Sequence, residues 1–407
     1  MSVFGLLNGD KKVSGYDAQS VAEKILEAIQ REIKGMTKLN VMILGKTGVG
    51  KSTLINNVFQ QPLAEVGVGK PVTDCIRKYE KEDFPLAVYD TPGMELSGAN
   101  AVDKLLGEIK QVVKQGIDSG DIQNAIHCVW YCVSSASHRF EDAEKQFINR
   151  FVAETRSYNI PVILVLTQSF SKKDAQNLKS EIEKENLDVA QIVPVLAADY
   201  DIDDEYVARA YGLDRLITVT NSVIPEALKK TLAAVQKANL QVKNNSAHAV
   251  VASSAALAAA TGAIPIPLAD AAVLVPEQIG MLAGITAIYG LSLEKSTMMA
   301  VISATIGTTG TTVLGRAIVA NLVKLIPGAG SLVGAVISGS TAAALTAALG
   351  EAYIGVMNAV YSGTIKADDL KTKKGRKMLT DAFKMRLQRK RNDSGIPLDE
   401  KPDTLPN

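Results

Sequence analysis

Residues Gly45-Lys46-Thr47-Gly48-Val49-Gly50-Lys51-Ser52 read as a complete GxxxxGK[ST] loop, directly after the apolar run LNVMIL and directly before a helical stretch. No other feature constrains the fold as far, because a loop of this form needs a strand to deliver it and a helix to receive it. Its glycines let backbone N–H groups turn inward around phosphate oxygens, and the start of the next helix adds a favourable dipole. In that arrangement Lys51 reaches the β- and γ-phosphates of a nucleotide and Ser52 offers a hydroxyl to Mg²⁺; Thr53 extends the same phosphate site.

The surrounding texture agrees. From Leu39 short apolar runs alternate with helical ones: LNVMIL, LAVYD, IHCVWYCV, VILVL and QIVPVL predict strands, and helices are expected near 51–58, 101–116, 141–156 and 174–186. That alternation predicts an α/β domain, a mostly parallel sheet with helices on both faces. Residues 16–34 place Val21, Ile25, Ala28, Ile29 and Ile33 at helical spacing before Gly35, an amphipathic lead-in helix. Residues 204–243 read as helix broken once near Val223 to Pro225.

A second anchor, Asp90-Thr91-Pro92-Gly93, ends the run LAVYD. An Asp there holds Mg²⁺ through water, and a glycine N–H that meets the γ-phosphate makes the loop after it sensitive to that phosphate. Between the two anchors, Thr73 is the candidate switch hydroxyl for the same metal. The metal set expected is thus Ser52, Thr73 and Asp90.

On these motifs residues 39 to about 200 resemble an Era-like GTPase domain of the translation-factor class. The wording GKTGVGKSTLINNVF is also similar to that of septin-like, chloroplast-import-receptor and immunity-associated GTPases. The resemblance implies GTP/GDP with Mg²⁺, hydrolysis of the β–γ bond, and a homodimer across the nucleotide face. The stretch AIPIPLADAAVLVPEQIGMLAGITAIYG resembles the Ala-rich domain of unknown function in bacterial YcjF-like proteins, which implies an architecture and little chemistry.

The departures from that family fall on base recognition and on the attacking water. Where an [NT]KxD box is expected, the chain reads Thr167-Gln168-Ser169-Phe170, without the Asp. A later register, Ser171-Lys172-Lys173-Asp174, has the carboxylate but also reads as a helix N-terminus. Thr167 and Gln168 are the candidates to line the base, with Leu196-Ala197-Ala198 standing for the last box and offering backbone groups. After Gly93 stands Met94, whose thioether cannot orient a water, so intrinsic hydrolysis is expected to be slow. Arg139 has two readings, an arginine presented across a dimer or a surface residue paired with Glu141 or Asp142. His127, His138 and His248 are scattered without a nucleophile, and Trp130 and Tyr131 read as packing residues.

Charge divides the chain more sharply than its net value of +1 suggests. Residues 245–365 hold seven charged residues in 121, so two physically different materials are joined. The expected parts are an N-terminal helix (1–36), the nucleotide domain (37–222), a linking helix (223–244), an all-α Ala/Gly-rich helical domain (245–365) and a basic tail (366–407). Leu325 to Gly350 is an uncharged run of 26, long enough to span a bilayer or to form a close-packed soluble bundle. Lys371 to Arg391 carries ten basic residues against Asp381, which suits an anionic membrane surface and equally an RNA or ribosome contact.

Cys75, Cys128 and Cys132 cannot build a disulfide scaffold and fit a reducing compartment, and MSVFGLLNGDKK lacks an export signal. The expected location is cytoplasmic, peripheral or integral at the inner face of a membrane.

Overall fold

The computed structural model describes residues 18–60, 70–71, 76–91, 99–202, 206–262, 271–290, 339–365, 369 and 372. These divide into two compact units, residues Ile33–Ser246 and a second unit of Met1–Glu32 with Ala247–Asn407.

The first unit is built on a seven-stranded sheet of order β2-β3-β4-β1-β5-β6-β7. Its strands are β1 (Leu39–Gly45), β2 (Lys70–Pro71), β3 (Arg77–Lys81), β4 (Phe84–Asp90), β5 (Cys128–Ser134), β6 (Val162–Thr167) and β7 (Gln191–Pro194). From β4 to β7 the pairs are parallel, and β2 and β3 add an antiparallel edge. β1 is buried along its whole length, as expected of a central strand covered on both faces.

Alternate residues of the sheet face two helical layers. On one side Met42, Leu44, Val129 and Tyr131 pack with residues of the helices α3 (Ala99–Asp118), α4 (Asp142–Thr155) and α5 (Lys172–Glu183), including Ile109, Phe147 and Leu178. On the other, the ring of Trp130 lies parallel to Phe59, 5.7 Å between centroids. Phe59 ends helix α2 (Lys51–Val58). The Trp130 Nε1–H donates to Thr220 Oγ1 at 3.2 Å. Thr220 belongs to helix α6 (Leu213–Val223), and α7 (Glu226–Val235) follows on the same layer after a break at Ile224 and Pro225.

The lead-in helix, α1, spans Ala18–Lys34 and buries Ile25, Ala28 and Ile29. The stretch expected as helix from 204 instead begins with a small hairpin, β8 (Tyr200–Asp201) paired antiparallel with β9 (Val207–Ala208). It breaks a second time, at residues 236–239, before α8 (Leu240–Gly262). There the Gln236 side chain closes a turn on the Asn239 backbone, Nε2 donating to Asn239 O at 2.8 Å and Oε1 accepting from the Asn239 N–H at 2.7 Å.

In the second unit α9 (Ala271–Gly290) packs on α10 (Gly339–Tyr361). Their seam is polar at its centre: Thr286 Oγ1 and Tyr353 OH share a hydrogen bond of 2.7 Å, and Tyr289 OH donates to Asn358 Oδ1 at 3.0 Å. Gly350 lies where an added Cβ would meet Val251 at 2.5 Å and Met281 at 2.9 Å, so α8 closes on the same pair. Of the uncharged run, residues 339–350 form the first half of α10 and 325–338 lie outside the described residues, as do the two proline-containing turns and nearly all of the basic stretch. Among the described residues no helix is long and apolar enough to cross a membrane.

Candidate functional site

β1 delivers the Gly45–Ser52 loop, and α2 starts at Lys51 with Gly50 as its N-cap at φ 91°. Val49 is buried under the loop, while Thr47, Gly48, Ser52 and Thr53 are exposed. Lys51 itself is buried, its Nζ donating to the carbonyls of Gly45 at 2.8 Å and Lys46 at 3.1 Å. Two of its three protons are thus held within the loop and the third is left for an anionic oxygen. Lys46 points the other way, its Nζ 2.6 Å from Glu141 and 4.0 Å from Glu144 at the start of α4.

The parallel register of β1 with β4 sets Asp90 opposite Ile43, two residues before Gly45. This brings the second anchor to the end of the sheet where the loop sits. Among the described residues, Asp90 Oδ1 is buried with no hydrogen-bond donor, and the hydroxyl of Thr91 is buried without a partner. Burial pushes the Asp90 carboxyl above the usual carboxylate range, while the positive charges of Lys51 and Arg77 and the backbone N–H of Thr91 pull it back. Arg77 faces Asp90 across the β3–β4 ladder. Thr73, Pro92, Gly93 and Met94 lie outside the described residues.

Thr167, the last residue of β6, and Gln168 after it line a cavity of about 210 Å³. Gly50 and Thr53 also line it, together with Leu196, Ala197 and Ala198. That volume is below the roughly 300–1,000 Å³ of pockets that enclose a whole drug-sized ligand, and it suits one ring system. The two residues act differently within it. Thr167 is buried and donates its hydroxyl to Val133 O at 3.0 Å, so its one side-chain donor is used within the sheet. Gln168, at φ 52°, donates from Nε2 to Gly48 O at 2.8 Å and accepts from Ser134 Oγ at 2.5 Å, tying the loop to β5 and β6.

Phe170, where the family's Asp is expected, also lines the cavity. Its ring lies 4.4 Å from that of Tyr200, tilted by 46°. The later register is a helix start: Ser171 caps α5 by accepting from the Asp174 N–H at 3.2 Å. Sequence reasoning passed over Asp199, which follows the partial last box directly and also lines the cavity. Its only signal was that adjacency.

Arg139 is exposed and forms no ion pair among the described residues; Glu141, one of its two expected partners, pairs with Lys46. His127 is buried as a neutral ring: Nδ1 accepts from the Asn40 N–H at 2.9 Å and Nε2 lies 2.9 Å from Ile122 O. Cys128 and Cys132 are buried, and burial pushes both thiols up to about 12. No cluster of metal-binding side chains of the His/Cys/Asp/Glu type occurs among the described residues.

Residues 40–168 match the family described as 50S ribosome-binding GTPase, and residues 227–386 match the domain of unknown function DUF697. Human Septin-12 is 23% identical over 207 residues, 44% of this chain and 57% of that protein. Translocase of chloroplast 90 from Arabidopsis thaliana is 35% identical over 97 residues, 22% of this chain and 12% of that protein. The chain therefore spans little more than half the length of its septin relatives and far less of the translocase. Among solved structures, Toc33 from Arabidopsis thaliana in complex with Mg²⁺ and GMPPNP aligns at 19% identity and a TM-score of 0.30, over 51% of this chain and 93% of that one. The loop, the strand order and the two family models identify a P-loop GTPase domain joined in one chain to a DUF697 domain.

Proposed function

We propose that this chain binds guanine nucleotide with Mg²⁺, hydrolyses GTP to GDP and phosphate, and acts as a nucleotide-state switch. One observation carries the reading: at the end of two adjoining strands, the buried ammonium of Lys51 stands near a carboxylate whose Oδ1 is buried without a donor among the described residues. A buried lone pair left so calls for a partner, and a divalent cation fits it. Ser52, Thr73 and Asp90 would hold Mg²⁺, which when bound supplies charge to offset that of the β- and γ-phosphates.

The chain's own groups do the rest. Lys51 and the backbone N–H groups of residues 46–51 bind and orient the phosphates, and the Gly93 N–H reports the γ-phosphate to the loop that begins at Met94. Water oxygen bonds to the γ-phosphorus as its bond to the bridging oxygen breaks. The electron pair leaves with GDP, and the water proton passes to phosphate or solvent. Since Met94 cannot orient that water, the reaction is slow in one copy. Arg139, exposed and unpaired among the described residues, is the group a second copy would contribute across the nucleotide face. A charge supplied in this way accelerates such reactions by about 10³–10⁵.

The basic stretch 371–391 would carry the chain to an anionic membrane surface at the cytoplasmic face, and the apolar second domain would couple that location to the nucleotide. The similarity to septins favours a second reading, an assembling scaffold with vestigial hydrolysis. The family description favours ribosome or RNA contact through the same basic stretch.

Single-turnover phosphate release from GTP, followed across protein concentrations with and without anionic liposomes, separates these readings. The account expects a rate per molecule that rises with concentration and rises again with liposomes. A slow rate indifferent to both leaves the scaffold, and no release at all overturns hydrolysis.

A further inference from the structure

The cavity beside the loop holds a carboxylate that the family pattern does not place there. We propose that Asp199 is the specificity-determining residue of this site, the carboxylate that reads guanine in place of the one missing at Phe170. The inference rests on the nucleotide reading above and adds to it which residue selects the base.

Three observations converge on Asp199. It lines the same cavity as Gln168 and Phe170. It is fixed, not waving: Oδ1 accepts from the Ala210 N–H at 2.7 Å and Oδ2 from Arg209 at 2.6 Å. The hairpin that carries it is anchored to the end of β7 by the reciprocal bonds of Leu196 and Tyr211, both 3.0 Å. These same bonds hold the carboxyl below the usual carboxylate range, so it is ionised throughout the neutral region. Each oxygen retains a second lone pair, so a carboxylate with two donors still accepts two more.

Guanine offers what such a group takes, since its N1–H and N2–H donors lie side by side. Adenine sets an N6–H donor next to the N1 lone pair, which a carboxylate repels. A site whose polar groups are satisfied by one base and left unpaired by the other discriminates strongly. Phe170 and Tyr200, with centroids 4.4 Å apart, supply the apolar wall against which a base would lie. The competing role for Asp199 is purely to close the hairpin on Arg209 and Ala210, and this predicts no change in base preference when the carboxylate is altered.

The test is equilibrium binding of GDP, ADP and XDP to the full chain, to Asp199→Asn and to Arg209→Ala. Xanthine carries a carbonyl acceptor where guanine carries the N2 amino group, so an Asn amide at position 199 complements it. The unmodified chain should prefer GDP to ADP by about tenfold or more. Asp199→Asn should lose GDP affinity about tenfold and gain XDP affinity by a similar factor. Arg209→Ala, which breaks the ion pair and keeps the carboxylate, should keep the guanine preference. Equal GDP to XDP ratios in the unmodified chain and Asp199→Asn overturn the assignment, as does loss of guanine preference in both variants alike. A chain that binds GDP and ADP equally overturns Asp199 as reader and leaves the nucleotide site standing. A chain that binds none of the three removes both.

Discussion

Gly45 ties the phosphate loop to the sheet. Its φ of 142° lies in the region that favours glycine, and an added Cβ would meet the carbonyl of Cys132 on β5 at 2.5 Å. Neither the backbone nor the carbonyl can yield without disturbing the β1–β5 ladder. Gly45→Ala should therefore destabilise the first unit by about 2 kcal/mol or more, read as a lower urea midpoint. An unchanged midpoint would mean that β5 gives way freely. At this scale the loop was legible because each of its residues answers to one chemical demand. Gln168 was legible only as a candidate: nothing in Thr167-Gln168-Ser169 says that the Gln168 side chain reaches back 120 residues to Gly48 O.

The elements that position the site are held from the far end of β1 as well. Asn40 donates from Nδ2 to the carbonyls of Gln123 at 2.8 Å and Ala125 at 2.7 Å, and its N–H meets His127 Nδ1. Burial holds the His127 pKa below its usual value. Between that lowered value and the unfolded value near 6.5, the unfolded chain binds more protons, so stability rises with pH across this window. The contribution is complete above about pH 6.5 and is lost as pH falls, when the proton would displace the Asn40 N–H. Urea midpoints measured from pH 7.5 to 5.5 should fall for the unmodified chain and fall less for His127→Gln; parallel slopes would refute the role.

The strands of this layer were legible where burial on both faces made them apolar, as in CVWYCVS. The strand β3, RKYEK, between the two-residue edge strand β2 and β4, was not legible, because its partly exposed residues carry charges that look like loop. Nor was the β8–β9 hairpin, whose strands are two residues each and whose Tyr200 is half exposed. Periodicity has no purchase on so short a pair, and with the hairpin went the position of Asp199.

At the scale of the whole molecule, the contrast in charge between the two parts of the sequence matches a contrast in how they hold together. The first unit is organised by a sheet with long-range register, the second by helices whose seam closes on small residues and on buried hydroxyls such as Thr286 and Tyr353. The chain passes from one to the other at residues 246 and 247, within α8. Composition foretold helices there and could not foretell their pairing, since Ala, Gly and Ser stripes fit many partners equally.

The central claim remains that the loop at residues 45–52 holds a guanine nucleotide. It is tested most directly by titrating the intact chain with a fluorescent GDP in Mg²⁺, beside Lys51→Ala. The account predicts saturable binding by the unmodified chain and at least tenfold weaker binding by the variant, about 1.4 kcal/mol, with the variant still folded by circular dichroism. Equal binding by both would contradict it.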